Sequence, residues 1–159
     1  MRDAQTVNLS RAMQVVKHFE GLHTRSYICP SGVVTVGWGS TRLLDGRPIS
    51  LGYTCTVEEA ERLLERDLRE AAAAVLRLTK VPLEEHQLNA LTCFVHNVGQ
   101  GNYAASTLLK LLNQGQYDAV PEQLLRWVKG AGGQTLPGLV RRRKCEAHLY
   151  STGRVRFHN

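Results

Sequence analysis

Three polar side chains in the N-terminal part of the chain, Glu20, Cys29 and Thr35, have the types needed for acid–base chemistry. A carboxyl group in a cleft can have its pKa raised, and it can then donate a proton to a leaving group near neutral pH. A free thiol has a pKa of about 8.5, so Cys29 needs a neighbour that lowers this value before it can act as a base. The Thr35 hydroxyl can donate and accept hydrogen bonds, which suits it to orienting a water molecule.

Each of these residues also has an ordinary structural interpretation. A glutamate at a helix end is usually a solvated surface residue, a free cysteine is usually a buried thiol, and a threonine among β-branched neighbours is usually a plain strand residue. Eight residues separate Glu20 from Cys29 and five separate Cys29 from Thr35, and this spacing alone is weak support for a shared site. The surrounding elements must bring the three side chains together.

Periodicity and turn signals predict the elements around these residues. Asn8 or Ser10 can cap a first helix, and Glu20 lies at the end of that helix. Residues 25–51 are then rich in Gly, Ser, Thr and β-branched residues, and 33–39 are predicted to form a strand of a small antiparallel sheet. The three candidate residues would therefore lie where the helix gives way to the sheet.

A long helix over residues 57–78 is the clearest predicted element. Thr56 and Glu59 have the spacing of a capping box, in which each side chain bonds the other residue's backbone N–H. The helix would be roughly 33 Å long at ~1.5 Å per residue, long enough to connect two lobes. The rest of the chain is predicted to be helical over 83–99, from Ser106 to about Gly115, over 118–127 and over 138–150.

The predicted fold class is α+β, in one domain over residues 1–159. A lobe with the small antiparallel sheet would occupy about 12–56, helix 57–78 would bridge, and a mostly helical lobe would occupy about 79–159. A cleft between two such lobes is a usual place for a binding site.

The net charge of +6 is concentrated near the C-terminus. Residues 126–159 contain eight basic residues and one acid, whereas residues 1–125 contain twelve basic and thirteen acidic residues. This distribution predicts an anionic partner for the C-terminal stretch. A nucleic acid is not favoured, because no helix-turn-helix pattern precedes the basic segment.

The other cysteines and the histidines point to no metal or cofactor. Cys55, Cys93 and Cys145 are expected to be packing thiols, because the chain contains no CxxC motif. The six histidines lack metal-ligand spacing. The N-terminus has neither the apolar segment of a signal peptide nor that of a membrane anchor, which predicts a cytoplasmic protein without membrane insertion.

A family resemblance strengthens the catalytic interpretation. In residues 19–41, which read FEGLHTRSYICPSGVVTVGWGST, Glu20 follows an aromatic residue and precedes glycine, and a T-x-G-x-G run begins at Thr35. This segment resembles the signature of the phage-type lysozymes, glycoside hydrolase family 24, and the likeness extends over about residues 7–150. Two later segments resemble endolysins of lambdoid-type phages and prophages: HQLNALTCFVHNVGQGNYAASTLLKLLNQGQYDAV at 86–120 and LPGLVRRRKCEAHLY at 136–150.

The resemblance implies a lysozyme-like fold and hydrolysis of the β-1,4 bond between N-acetylmuramic acid and N-acetylglucosamine in peptidoglycan. Glu20 would be the general acid, and Thr35 would orient the attacking water. Cys29 stands where the family often has Asp, so it would activate water; attack as a nucleophile and mere support of the site are alternatives. The family inverts the anomeric configuration, so water rather than the enzyme would attack.

The resemblance also indicates three further site residues. Asn97 and Gly99 lie in a run typical of the family's cleft-lining helix and would contact substrate, although a plain helix terminus is an equal alternative. Arg142, among three adjacent arginines, would be a cleft arginine paired with Glu20. A solvated helix face explains the three arginines equally well.

The implied partner is bacterial peptidoglycan, with an accompanying holin that opens the host membrane and releases the protein from the cytoplasm. No direct holin contact is implied, and a monomer is expected. Two alternatives remain open at this point. A lytic transglycosylase would act on the same bond with one glutamate and would leave an anhydro-muramic product. A non-catalytic cell-wall binding protein would depend on the basic C-terminal stretch alone.

Overall fold

A computed structural model describes residues 2–158, and this part of the chain forms a two-stranded sheet and seven α-helices. The predicted α+β class is confirmed. The elements in chain order are α1 Ser10–Glu20, β1 His23–Ile28, β2 Val34–Gly37, α2 Val57–Leu78, α3 Glu85–Val98, α4 Gln100–Ala104, α5 Thr107–Asn113, a 3-10 turn Tyr117–Ala119, α6 Val120–Leu124 and α7 Pro137–Thr152.

The sheet is a short antiparallel pair. Tyr27 on β1 pairs with Thr35 on β2, and the turn between the strands closes where the Gly32 N–H donates to the Cys29 carbonyl at 2.8 Å. Strand β2 is shorter than the predicted 33–39, because the chain turns back after Gly37 and the Val36 N–H donates to the Ser40 carbonyl at 2.9 Å. The hairpin therefore carries two of the three candidate residues.

Helix α1 begins differently from the prediction. Leu9 occupies the N-cap position, where its side chain is buried in the core, so neither Asn8 nor Ser10 caps the helix. The Asn8 Oδ1 instead accepts from the Ser10 N–H at 2.9 Å, a local turn that competes with capping. The helix ends at Glu20 because Gly21 follows with a φ of 71°.

Helix α2 extends over the predicted residues, but only half of the capping box forms. The Thr56 Oγ1 accepts from the Glu59 N–H at 3.1 Å, whereas the Glu59 carboxylate accepts from the Tyr53 hydroxyl at 2.5 Å instead of reaching back to the cap. The buried face of α2 contacts two hydrophobic clusters. Leu63 packs with Val36 under the sheet, while the other buried side chains of the helix join the main core: Ala60, Leu64, Leu68, Ala71, Ala72, Ala74 and Val75.

The main core lies in the helical part of the chain. Helix α3 is buried along most of its length and packs between α2 and α7. Ser106 caps α5 as predicted, since its Oγ accepts from the Leu109 N–H at 3.0 Å. The short α4 was not predicted. Helix α7 extends one residue further at its start and two further at its end than the predicted 138–150.

The single helix predicted over 118–127 is wrong. A 3-10 turn precedes α6, which ends at Leu124. Pro121 has no N–H to continue a helix from the preceding turn. Beyond α6 the backbone leaves the helical path, and the Leu136 N–H donates to the Val128 carbonyl at 2.9 Å in a loop that leads into α7.

All four cysteines are free. Cys93 and Cys145 are buried and Cys55 packs partly buried against both clusters, which confirms the prediction of three packing thiols. Burial raises the pKa of each of these thiols, and that of Cys145 reaches about 11.

No helix within residues 2–158 combines the length and hydrophobicity needed to span a bilayer.

The cap of α2 gives a direct stability test. Thr56→Ala removes the acceptor for the Glu59 N–H and should lower the free energy of unfolding by about 1 kcal/mol. Thr56→Ser keeps the hydroxyl and serves as the matched control, with an expected change of no more than a few tenths of a kcal/mol. Urea unfolding measures both, and equal stability of the two variants would contradict the capping assignment.

Candidate active site

Glu20 lies at the C-terminal end of α1, against the loop that follows β2. Its side chain is 26% exposed. Gly39 approaches it so closely that a Cβ on this glycine would lie 3.1 Å from the Glu20 Oε2, and the φ of Gly39 is +89°. Both the backbone conformation and the lack of a side chain at Gly39 therefore make room for the carboxylate.

Arg142 of α7 binds the same carboxylate, and α1 and α7 pack in one hydrophobic core. Its Nη1 lies 3.0 Å from the Glu20 Oε1, and its side chain is 4% exposed. The pairing predicted from the sequence is thus present. The alternative of a solvated helix face is wrong for Arg142 and Arg143, which are buried, and it holds for Arg141, which is exposed.

Behind Arg142 lies a buried charge network. Glu146, which is fully buried, accepts from the Arg142 Nε at 3.3 Å and from the Arg143 Nη1 at 2.5 Å. Arg143 also donates to the Trp127 carbonyl at 2.9 Å and to the Asn97 Oδ1. Sequence reasoning missed Arg143 and Glu146. The signal that could have found them is the position of Glu146, the single acid of the basic segment, four residues after Arg142 and three after Arg143.

Cys29 lies at the turn of the hairpin, partly exposed. Its Sγ is 2.9 Å from the Ser31 Oγ, and this hydrogen bond is the main cause that lowers the pKa of the Cys29 thiol to about 7, followed by a bond from the Val33 backbone. At neutral pH about half of the Cys29 side chains are therefore thiolates. Ser31 is a second residue that sequence reasoning missed.

Thr35 lies on β2, close to Cys29 at the hairpin turn. Its side chain is buried, and its hydroxyl donates to the Val33 carbonyl at 3.0 Å. By rotating, this hydroxyl can also donate to the thiolate, and it contributes a smaller part of the lowering of the Cys29 pKa. The hydroxyl retains acceptor capacity toward a water molecule in either orientation.

Tyr27 connects the two sides of the candidate site. It pairs with Thr35 across the sheet, and burial, then the charges of Glu20 and Cys29, raise the pKa of its phenol. Because both charges act on the Tyr27 phenol, Glu20 and Cys29 lie in its neighbourhood. Tyr27 itself was not predicted.

Two cavities are lined by residues that contact the candidate side chains. One of about 940 Å³ is lined by Ser31, next to Cys29, and by Asn97 and Trp127. Another of about 320 Å³ is lined by Gly39 and by His96. Burial, then the positive charge of Arg142, lowers the pKa of His96 to about 4, so this histidine is neutral at physiological pH.

Asn97 and Gly99 differ in their surroundings. Asn97 is exposed on the cavity side of α3, while its Oδ1 accepts from Arg143. Gly99 is the C-cap of α3, with a φ of 90° and its N–H bonded to the Val95 carbonyl at 2.7 Å. The helix-terminus interpretation therefore describes Gly99 fully and Asn97 only in part.

The basic C-terminal stretch divides into two groups. Arg142 and Arg143 are buried beside carboxylates, so they add little to the surface charge, contrary to the expectation that the whole stretch faces a partner. Six basic side chains of the stretch are exposed: Arg126, Lys129, Arg141, Lys144, Arg154 and Arg156.

Among residues 2–158, no group of three or more His, Cys, Asp or Glu side chains could hold a metal ion.

Comparison with known proteins agrees with this geometry. The family described as phage lysozyme matches residues 17–146, which include Glu20, Cys29, Thr35 and Arg142. The chain belongs to the phage lysozyme family. It is therefore a glycoside hydrolase of the lysozyme type. The endolysin of Acyrthosiphon pisum secondary endosymbiont phage 1 is 34% identical over 145 residues, which cover 89% of this chain and 96% of that protein.

Solved structures show the same lysozyme fold. The endolysin of Escherichia coli O157:H7 phage FAHEc1 superposes with a TM-score of 0.85 and 32% identity, covering 95% of this chain and 98% of that one. The muramidase domain of SpmX from Asticaccaulis excentricus superposes with a TM-score of 0.82 and 31% identity, covering 92% and 99%. The predicted lysozyme-like architecture is confirmed.

The close approach of Gly39 to Glu20 leads to a test with a matched control. Gly39→Ala and Gly52→Ala both place a side chain at a φ near +90°, but a Cβ at Gly52 meets no atom within 4 Å, whereas one at Gly39 meets the Glu20 carboxylate. Both variants should lose about 1 kcal/mol of stability from backbone strain. Only Gly39→Ala should also lose lytic activity, by tenfold or more, because Glu20 must move.

Stability is measured by thermal unfolding, and activity by clearing of outer-membrane-permeabilised Gram-negative cells. Equal activity of the two variants would show that Glu20 does not depend on the space at Gly39.

Proposed function

We propose that the chain is an N-acetylmuramidase that hydrolyses the β-1,4 bond between N-acetylmuramic acid and N-acetylglucosamine in peptidoglycan. One observation carries the proposal: a half-buried carboxyl group, Glu20, and a thiol with a lowered pKa, Cys29, both lie close enough to Tyr27 for their charges to raise the pKa of its phenol. Cleavage of a glycosidic bond requires an acid at the leaving oxygen and a group that activates water on the other face.

Glu20 is the proposed general acid. Its location at the end of a helix, beneath the loop of Gly39, leaves one edge of the carboxyl group exposed to a bound glycan. Arg142 fixes the orientation of the carboxyl group by a hydrogen bond from α7. The same guanidinium also donates to Glu146, so Glu20 shares it with a second carboxylate.

Cys29 is the proposed base that activates water. Its thiolate, stabilised by Ser31, accepts a proton from a water molecule that Thr35 orients. The water oxygen then bonds to the anomeric carbon while the leaving oxygen takes the Glu20 proton, which inverts the configuration. Direct attack by the thiolate would instead form a glycosyl thioether while the leaving oxygen takes the Glu20 proton, and hydrolysis of this intermediate by water would give net retention of the configuration.

The cavity beside Ser31 is the proposed binding region for the glycan. Asn97 faces this cavity and is the proposed substrate contact, whereas the buried Arg142 acts on substrate only through Glu20. Gly99, at the helix terminus, would serve by ending α3 beside the cleft. The exposed basic side chains of the C-terminal stretch would attract the anionic bacterial envelope.

The biological role that fits this activity is lysis of a bacterial host. We propose that the protein accumulates in the cytoplasm as a monomer and reaches the periplasmic peptidoglycan once a holin has permeabilised the membrane. The whole chain would work as one catalytic domain, because α2 contacts both the sheet and the main core.

The first test removes the proposed acid. Glu20→Gln keeps the shape of the side chain but cannot donate its proton, so clearing of permeabilised Gram-negative cells should fall at least a hundredfold. Glu58→Gln, at an exposed glutamate in the first turn of α2, is the control and should clear at the wild-type rate.

Mass spectrometry of the wild-type products extends this test. Muramic acid with a free reducing end is expected, and an anhydro-muramic end would identify a lytic transglycosylase instead. Equal clearing by Glu20→Gln and wild type would overturn the assignment of Glu20, and absence of clearing by the wild type would favour a wall-binding protein.

The second test addresses Cys29. Cys29→Ala should lose most of the activity, whereas Cys29→Asp should keep a substantial part, because a carboxylate can also accept a proton from water. The acid limb of the pH profile should lie near pH 7 in the wild type and move to lower pH in Cys29→Asp, since the thiol has a pKa of about 7 and an ordinary aspartate about 3.9. Wild-type clearing by Cys29→Ala would show that Cys29 only supports the site.

A further inference from the structure

Four charged side chains form one continuous chain from the core to the cleft. Arg143 Nη1 donates to Glu146 at 2.5 Å, Arg142 Nε donates to the other oxygen of Glu146 at 3.3 Å, and Arg142 Nη1 donates to Glu20 at 3.0 Å. The charges alternate in sign along this chain and sum to zero.

Only the last member of the chain reaches solvent to any extent. Glu146 is 0% exposed, Arg143 1% and Arg142 4%, whereas Glu20 is 26% exposed. Charges out of contact with water are poorly screened, and removal of one leaves its neighbours uncompensated. Because the two arginines stay charged at all relevant pH values, an imbalance is relieved most easily by gain or loss of a proton at Glu20.

We infer that Glu146 and Arg143 are positioning residues that set how strongly Arg142 holds the Glu20 carboxylate, and thereby the pH range over which Glu20 keeps the proton it donates. The inference rests on the proposed role of Glu20 as general acid. Neither Glu146 nor Arg143 has to contact substrate for this effect, since both act through Arg142.

The sign of each contribution follows from the contacts of Arg142. Its guanidinium serves two carboxylates and also donates to the Cys93 carbonyl at 3.3 Å, so Glu20 and Glu146 compete for one positive charge. Without Glu146, Arg142 and Arg143 both favour ionised Glu20, which then loses its proton at lower pH. Without Arg143, Glu146 takes a larger share of Arg142, and Glu20 keeps its proton to higher pH.

Among the other groups around these carboxylates, Cys29 titrates between about pH 5 and 9, with a pKa of about 7, so it sets one limb of the pH profile. His96 on α3 has its pKa lowered to about 4, and Tyr27 on β1 has its pKa raised, so both are neutral in this range. Around Glu146, the Cys93 and Cys145 thiols have raised pKa values and stay protonated.

The test compares two opposite single variants and their combination. Glu146→Gln should move the limb of the kcat/KM profile that Glu20 sets to lower pH by about one unit, a shift typical of one nearby uncompensated charge in a partly screened site. The limb that moves in Cys29→Asp identifies the one that Cys29 sets. Arg143→Gln should move the Glu20 limb to higher pH. The double variant loses one charge of each sign, so its limb should return to the wild-type position even if its rate is lower.

Each variant is assayed against wild type on the same purified peptidoglycan, so that titration of the substrate cancels in the ratio. Glu146→Asp keeps the charge and should keep the wild-type limb. Thermal unfolding is measured in parallel, because loss of a buried charge partner also destabilises the protein.

A purely structural role would lower activity by the same factor at every pH and make the double variant at least as impaired as the worse single variant. That result, or limbs that move in the same direction in both single variants, would overturn the inference. If Glu146→Gln does not fold, an upward shift in Arg143→Gln that the double variant reverses supports the inference, and an unmoved limb in Arg143→Gln overturns it. Glu20→Gln separates the two proposals, since wild-type activity in that variant would instead overturn the proposed function.

Discussion

One buried guanidinium, that of Arg142, connects three helices at the candidate site. It binds Glu20 from α1 on one side and Glu146 from its own helix on the other, and it also donates to the backbone of α3 at Cys93. A charge with so little access to water is tolerated only where its hydrogen-bonding groups find partners of opposite charge. The orientation of α7 against α1 and α3, and with it the width of the cleft at Glu20, therefore depends on keeping this set of contacts.

Helix α2 provides the frame within which this contact can form. One face of the helix packs under the sheet through Leu63 and the other joins the main core, so the hairpin and the core pack against the same helix. The hairpin in turn holds Cys29 at its turn and Thr35 on β2. Rigid packing behind a polar surface places these small side chains accurately, although they lie at the edge of a sheet of only two strands.

Cys29 and Glu20 gain their polar partners by different means. At Cys29 the partners are local, because Ser31 and Val33 lie within four residues and stabilise the thiolate by hydrogen bonds. At Glu20 the partner is distant in the chain, because Arg142 comes from a helix more than 120 residues away. A thiolate that needs only its own turn can form in a small hairpin, whereas a balanced ion network requires a buried site between helices.

The sequence was informative wherever a short stretch of chain determines the outcome. Glu20, Cys29 and Thr35 belong to one local segment, and periodicity predicted α2 over the same residues that the structure shows. Prediction from the sequence failed where packing competes with local preference, as at the first turn of α1 and in the helix expected over 118–127. The three adjacent arginines show the limit most clearly. They are identical in chemistry, and each successive residue of a helix is rotated by about 100°, so only the packing of α7 decides that Arg141 faces solvent while Arg142 reaches Glu20 and Arg143 reaches Asn97.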